Sequence, residues 1–261
     1  MTDKTADEFQ KLVDVVAELR SEHGCPWDRK QNHESLRRFA IEETYEVIEA
    51  IDHGSDSKLK EELGDFILQA LLHAQIAKER GAFDIADVCA VIREKLLRRH
   101  PHVFGEVEVS TVDDVVHNWE AIKSAEPGYE DRKSVLDGIP KSLPALIRAA
   151  EMSKRASKVG FDWPDISQIL EKLNEETTEL SEAIESGDTS HVKREVGDLL
   201  FVIVNIARFL DIDPEESLRE MLERFSTRFR CIEDRAKSTG RKVSDMTLEE
   251  MDAVWDEAKN G

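Results

Sequence analysis

Two sets of carboxylates recur in this sequence at a spacing suited to holding a cation. Glu42-Glu43-x-x-Glu46 is followed by Glu62-x-x-Asp65, and Glu175-Glu176-x-x-Glu179 by Glu195-x-x-Asp198, each acid of the first set lying 133 residues before its counterpart. On a helix, residues three apart share a face, so each short motif aims two carboxylates the same way. Like charges about 4 Å apart at an effective dielectric near 20 repel by roughly 4 kcal/mol, so four converging carboxylates require protonation or a bound cation. Oxygen donors without cysteine or paired histidine select a hard ion, Mg²⁺, with Mn²⁺ as a substitute. A di-iron carboxylate bundle uses Glu-x-x-His, and none of the eight histidines here has a glutamate three residues before it. A chain with 56 acidic residues also places many glutamates on merely solvated helix faces. The duplication is what sets these ten apart.

The elements that must position them read as helical hairpins. Residue 187, a glycine, is the midpoint both of Glu179 with Glu195 and of Glu176 with Asp198; residue 54, again a glycine, serves the first set in the same way. Antiparallel helices reversing at these glycines bring residues equidistant from the turn to one height. At 100° per residue, Ile166, Ile169, Leu170, Leu173, Leu180 and Ile184 form an apolar stripe with Glu176 at its edge and Glu179 and Lys172 next outward. Glu176 and Glu179 are therefore expected inside the cluster, with Glu175 supporting them from outside. Glu195 and Asp198 lead the apolar run LLFVIVNIARFL, which burial draws into a core.

The duplication extends further. Gly24 to Asp28 (GCPWD) answers Gly160 to Asp165 (GFDWPD), Lys95 and Arg99 answer Arg224 and Arg228, and NWEAIK around Trp119 answers VWDEAK around Trp255. Helical periodicity dominates throughout, and the only stretch that reads as extended is His102 to Thr111. The expected fold is all-α: a domain over 1–123, a Pro- and Gly-bearing linker over 124–144, and a second domain over 145–261, each with a four-helix-bundle-like core. His100-Pro101-His102 reads as a turn, because the proline breaks any helical ligand spacing.

Composition removes several functions. With 36 Lys+Arg against 56 Asp+Glu the net charge is −20, which disfavours duplex nucleic acid and anionic membrane surfaces as partners. The three cysteines are scattered, the start is polar, and the most apolar stretch, Leu199 to Ala207, is about half a membrane span. A soluble cytoplasmic protein is expected.

With GCPWD, RRHPHVFG, SLPAL and GFDW beside the paired EExxE and ExxD motifs, almost the whole chain resembles the MazG-type nucleoside triphosphate pyrophosphohydrolases in their two-domain bacterial form. The resemblance implies an all-α homodimer that uses Mg²⁺ to hydrolyse NTPs and dNTPs to the monophosphate and pyrophosphate, with broad base specificity and a housekeeping role toward the nucleotide pool. Carried over by position, the metal ligands fall on Glu176, Glu179, Glu195 and Asp198. The substrate contacts fall on Lys172, Glu175, Arg224, Arg228 and Trp255, with Arg224 and Arg228 also facing the reacting phosphates. A second site would use Glu43, Glu46, Glu62, Asp65, Lys95 and Arg99. Chemistry suits these roles: a carboxylate-held Mg²⁺ bridges a triphosphate to an acidic pocket, arginine forks grip phosphate oxygens, and a tryptophan stacks on a base. A solvated basic face for the arginine pair and a core position for Trp255 are the plainer alternatives.

Two other functions compete. One is a narrow dUTP or phosphoribosyl-ATP hydrolase, and the other an acidic helical regulatory module that binds nucleotide or a protein without turnover. The two halves are expected to be unequal, because Phe39 stands where the second half has Lys172, and Leu72 where it has Asn205, which is taken to face substrate.

Overall fold

Helix periodicity, caps and glycine turns account for the regular structure of this chain. The computed structural model describes residues 3–124, 126 and 133–260, and among these every regular element is helical. Pro127 and Gly128 of the expected linker lie outside the described residues. The chain divides into two compact units, Met1–Tyr129 and Glu130–Gly261.

The first unit contains α1 (Asp3–Leu19), α2 (Pro26–Lys30), α3 (Arg37–Asp52), α4 (Asp56–Glu79), α5 (Ile85–Arg99), α6 (Pro101–Phe104) and α7 (Val112–Ser124). Helices α3 and α4 form the principal packed pair, α1 and α5 lie against α4, and α7 lies against α5. Val16, Leu36, Leu71, Leu72 and Ile76 make the buried core, with Leu12, Val13, Phe39, Leu68 and Ile85 packed around it. Arg20 fastens the loop that follows α1: it donates to the carbonyl of Gln31 at 3.3 Å and forms an ion pair with Glu79 of α4 at 2.7 Å.

The second unit repeats the plan with α8 (Ala145–Ser157), α9 (Ile166–Ser186), α10 (Thr189–Phe209), α11 (Pro214–Ser238) and α12 (Leu248–Asn260), plus a 3₁₀ turn at Val243–Asp245. Here α9 and α10 are the principal pair, α8 packs on α10 and α11, and α12 packs on α11. Ile169, Ala183, Val202, Val204, Ile232, Ala236 and Val254 are buried. Each unit thus surrounds a hairpin with two more helices, the bundle-like arrangement expected.

Both hairpins reverse where the midpoint arithmetic places them. Gly187 has φ 72° and caps α9, and Gly54 between α3 and α4 has φ 62°, a region open chiefly to glycine. The next helix starts at once in each case: Asp188 accepts from the backbone N–H of Ser190 and His191, and Ser55 accepts from that of Lys58.

The stretch read as extended is otherwise. Pro101 opens the short helix α6, which includes His102, and residues 107–110 are irregular, with no strand among the described residues. The proline that argued against helix sits at its first turn, where a missing N–H costs nothing.

Candidate functional site

The hairpins deliver carboxylates from facing helices to one place in each unit. In the second unit, Glu176 and Glu179 of α9 meet Glu195 of α10, with one oxygen from each lying within 4.8 Å of the others. Glu176 is 4% exposed, and one of its oxygens is buried without a hydrogen-bond partner. A buried carboxylate oxygen facing two more carboxylates is the donor set a hard cation completes, since an unsatisfied charged acceptor is otherwise expensive. Glu179 is exposed; partial desolvation, and then the charge of Glu176, hold its carboxyl above its ordinary range.

Asp198 is exposed and falls outside this group of three, one turn along α10 from Glu195. Lys172 reaches across one turn to Glu176 at 2.7 Å and to Glu175 at 2.8 Å. Glu175, then Glu176, raise the pKa of that ammonium, so it is a fixed positive charge beside the cluster. Glu175 is exposed and outside the cluster, holding the lysine.

In the first unit the group is Glu43 of α3 with Glu62 and Asp65 of α4, again within 4.8 Å. Glu46 is exposed and outside that group; with Glu49, His53, Lys58 and Glu62 it lines an adjoining recess of about 370 Å³. Burial, then the charge of Asp65, raise the pKa of Glu43. The two clusters therefore draw on different members of the same motif: the first unit includes the ExxD aspartate and leaves out the last glutamate of EExxE, and the second does the reverse.

Basic and aromatic residues form a further group in each unit. Arg228 of α11 lies over the ring of Trp255 of α12 at 5.5 Å, and Phe225 packs on the same ring at 5.2 Å. Arg224, one turn earlier, is exposed and loosely paired with Glu220 at 3.4 Å. Arg99 of α5 lies over Trp119 of α7 at 5.0 Å, and Lys95 is half-buried one turn before it. The correspondence between Arg99 with Trp119 and Arg228 with Trp255, read from the repeat, is thus a correspondence of contacts.

One sequence-based expectation fails. Asn205 is 0% exposed: the Ser153 hydroxyl donates to its side-chain oxygen, and its amide donates to the Phe201 carbonyl at 2.9 Å. It is a core polar pair between α8 and α10 and meets no substrate. Its face was misjudged because α8 covers the side of α10 that a two-helix picture leaves open.

Two residues escaped sequence reasoning. His191 stands 3.1 Å from Glu195, and Lys58 stands 2.8 Å from Glu62, each one turn before its carboxylate. They too are 133 residues apart, so extending the repeat one turn toward the hairpin glycine would have found them.

The model of the MazG nucleotide pyrophosphohydrolase domain matches this chain twice, over residues 31–104 and 165–231. These segments span both hairpins and together cover more than half of the chain.

The chain belongs to the MazG nucleotide pyrophosphohydrolase family.

Two relatives matched over nearly the whole chain agree with that placement. A nucleoside triphosphate pyrophosphohydrolase/pyrophosphatase MazG of Thermotoga maritima is 46% identical over 97% of this chain and 96% of its own length. A nucleoside triphosphate pyrophosphohydrolase of Escherichia coli K12 is 39% identical over 97% of each chain. A crystal structure of a mazG-related protein from Thermotoga maritima, 31% identical, matches 44% of this chain and 98% of that one with a TM-score of 0.39. As a MazG-family member the chain is a hydrolase, and its two family segments each carry one carboxylate cluster.

Proposed function

We propose that this chain hydrolyses nucleoside and deoxynucleoside triphosphates, with broad base specificity, to the monophosphate and pyrophosphate, and that its second unit is the principal catalyst. The observation that carries this reading is the buried, unpartnered oxygen of Glu176 within a three-carboxylate group, in a family of nucleotide pyrophosphohydrolases. Relatives named for the same activity over nearly the whole chain support it.

Glu176, Glu179 and Glu195 fit Mg²⁺, or Mn²⁺ as a substitute, and Asp198 one turn further is proposed to complete the set. The ion would neutralise phosphate charge and polarise the phosphoryl oxygens. The chain's own groups do the rest. Lys172, kept protonated by its two glutamates, holds a phosphate oxygen beside the cluster. Arg224 and Arg228 grip the β- and γ-phosphates and offset the charge that develops on departing pyrophosphate. Water adds to the α-phosphorus, the α–β bridging bond breaks, pyrophosphate leaves with that bond's electron pair, and a proton is released. Trp255 stacks on the base. Glu43, Glu46, Glu62, Asp65, Lys95 and Arg99 are proposed as a second site.

The working form is proposed to be a cytoplasmic homodimer engaged in nucleotide-pool housekeeping. In support, no helix among the described residues is long and apolar enough to cross a membrane. The domains are proposed as 1–123 and 145–261, joined by 124–144.

The deciding experiment is a product analysis on a panel of NTPs and dNTPs with Mg²⁺. Equimolar monophosphate and pyrophosphate are expected throughout. Diphosphate with orthophosphate would refute the reaction, and full activity after EDTA treatment would refute the metal. Nucleotide binding with no product would instead favour the regulatory module.

A further inference from the structure

The two Arg–Trp groups share an arginine over a tryptophan and differ in the acid beside it. Glu126 receives two neighbouring arginines at the end of α5, Arg98 and Arg99. Arg99 donates to its carboxylate from Nε at 2.9 Å and from Nη2 at 2.5 Å, and Arg98 donates from Nε at 3.2 Å and from Nη2 at 2.7 Å. Two guanidinium forks therefore close on one carboxylate, the geometry with which arginines also grip a phosphate. The Glu126 and Arg99 side chains are only 14% and 15% exposed, so this is no loose surface pair. Arg99, then Arg98, pull the Glu126 carboxyl down to about 2, so it stays anionic at any working pH. In the second unit Arg228 has the same station over its tryptophan, and the ion pair of that group, Arg224 with Glu220, is long and well exposed on both sides.

We propose that Glu126 is an internal stand-in for phosphate: it occupies Arg99, the phosphate contact of the first unit, together with its neighbour Arg98, and a nucleotide's phosphate chain binds there only by displacing it. This rests on the reading of Arg99 as a phosphate contact. It makes the first unit a latent site, closed by its own carboxylate. The inequality between the halves then has a cause apart from the metal ligands, since both units hold a carboxylate group and, among the described residues, only the first closes two arginine forks on one carboxylate. Displacement must break up to four charge-assisted hydrogen bonds before any new one forms, so affinity at that site is low until Glu126 moves away.

The test uses the full-length chain, Mg²⁺ and a nucleoside triphosphate with a methylene bridge between the α- and β-phosphates, which binds without being cleaved. Calorimetry on Glu126→Gln is expected to show a second binding event per chain at least tenfold tighter than in the unsubstituted protein. Adding Arg99→Ala to that variant should abolish the gain. Glu126→Asp, whose carboxylate is retracted by one methylene, should fall between the two and covers the case in which the glutamine variant folds poorly. Identical isotherms for the unsubstituted chain and both variants would overturn the proposal, as would a gain that survives Arg99→Ala. The same preparations are assayed for monophosphate and pyrophosphate. Absence of those products condemns the functional reading itself, whereas normal turnover with unchanged isotherms condemns only the role of Glu126.

Discussion

Glu179 and Glu46 hold matching places in the repeat and have different surroundings. Glu179 joins Glu176 and Glu195, whereas Glu46 stands outside the group made by Glu43, Glu62 and Asp65. Glu179→Ala is therefore expected to lower kcat by about two decades or more, equivalent to about 3 kcal/mol of transition-state stabilisation, and Glu46→Ala by much less. Steady-state kinetics at equal folded concentration checks the ordering, and the reverse would refute the assignment of the second unit as principal catalyst. The same cluster sets a pH dependence. Partial desolvation and Glu176 raise Glu179 above its ordinary 4.5, so the metal-free fold binds a proton there more tightly than the unfolded chain does. That contribution to stability is full below the unfolded value and is lost as pH rises through the folded one. On the proposal that Mg²⁺ binds in place of that proton, the rise in Tm that it produces should be larger at about pH 7.5 than at about pH 5. Equal shifts in scanning calorimetry at the two pH values would contradict this.

At the scale of elements, the hairpin turns and the α8–α10 contact make separate demands. A Cβ at Gly187 meets nothing within 4 Å, so Gly187→Ala changes backbone strain alone. With φ at +72° the expected loss is about 1–2 kcal/mol. A Cβ at Gly197, inside α10, also meets nothing within 4 Å, and there the helix favours alanine, so Gly197→Ala should stabilise by about 0.5–1 kcal/mol. Urea titrations should give opposite signs. Asn205→Leu strands the Ser153 hydroxyl in the core, at a cost of about 1–3 kcal/mol, and adding Ser153→Ala should recover much of it. A double-mutant cycle with no coupling would show that the pair is not the structural link described. These elements also show what the sequence carries. Period, caps and the two glycines specify helix and hairpin locally, so Gly54, Gly187 and the approach of Glu176 to Glu195 were legible. Which face a third helix covers is a long-range fact, so the burial of Asn205 under α8 was not. Phe39 was read as a lost substrate contact, and it packs on the core of Val16, Leu36 and Leu72. An aromatic residue at a lysine's position fills space before it forfeits a charge.

At the scale of the molecule, much apolar surface is unclaimed. Val196, Leu200 and Ile203 form an exposed stripe on α10, and Leu63, Phe66 and Ile67 one on α4. Exposed apolar stripes at helical spacing are the usual mark of association. Light scattering at micromolar concentration is accordingly expected to give twice the 29.7 kDa chain mass, and Leu200→Glu to shift the population toward monomer. A monomer in the unsubstituted protein would refute the homodimer. The glycine hairpins have a kinetic consequence as well. Each joins helices that are neighbours in sequence, so little chain entropy is spent in closing the loop before the contacts form, and low contact order goes with folding in microseconds to milliseconds. During synthesis at about 5–20 residues per second, the α3–α4 pair can be complete several seconds before α9 leaves the ribosome. The order of manufacture thereby keeps two hairpins of the same plan from exchanging partners, a hazard that simultaneous refolding from denaturant would restore.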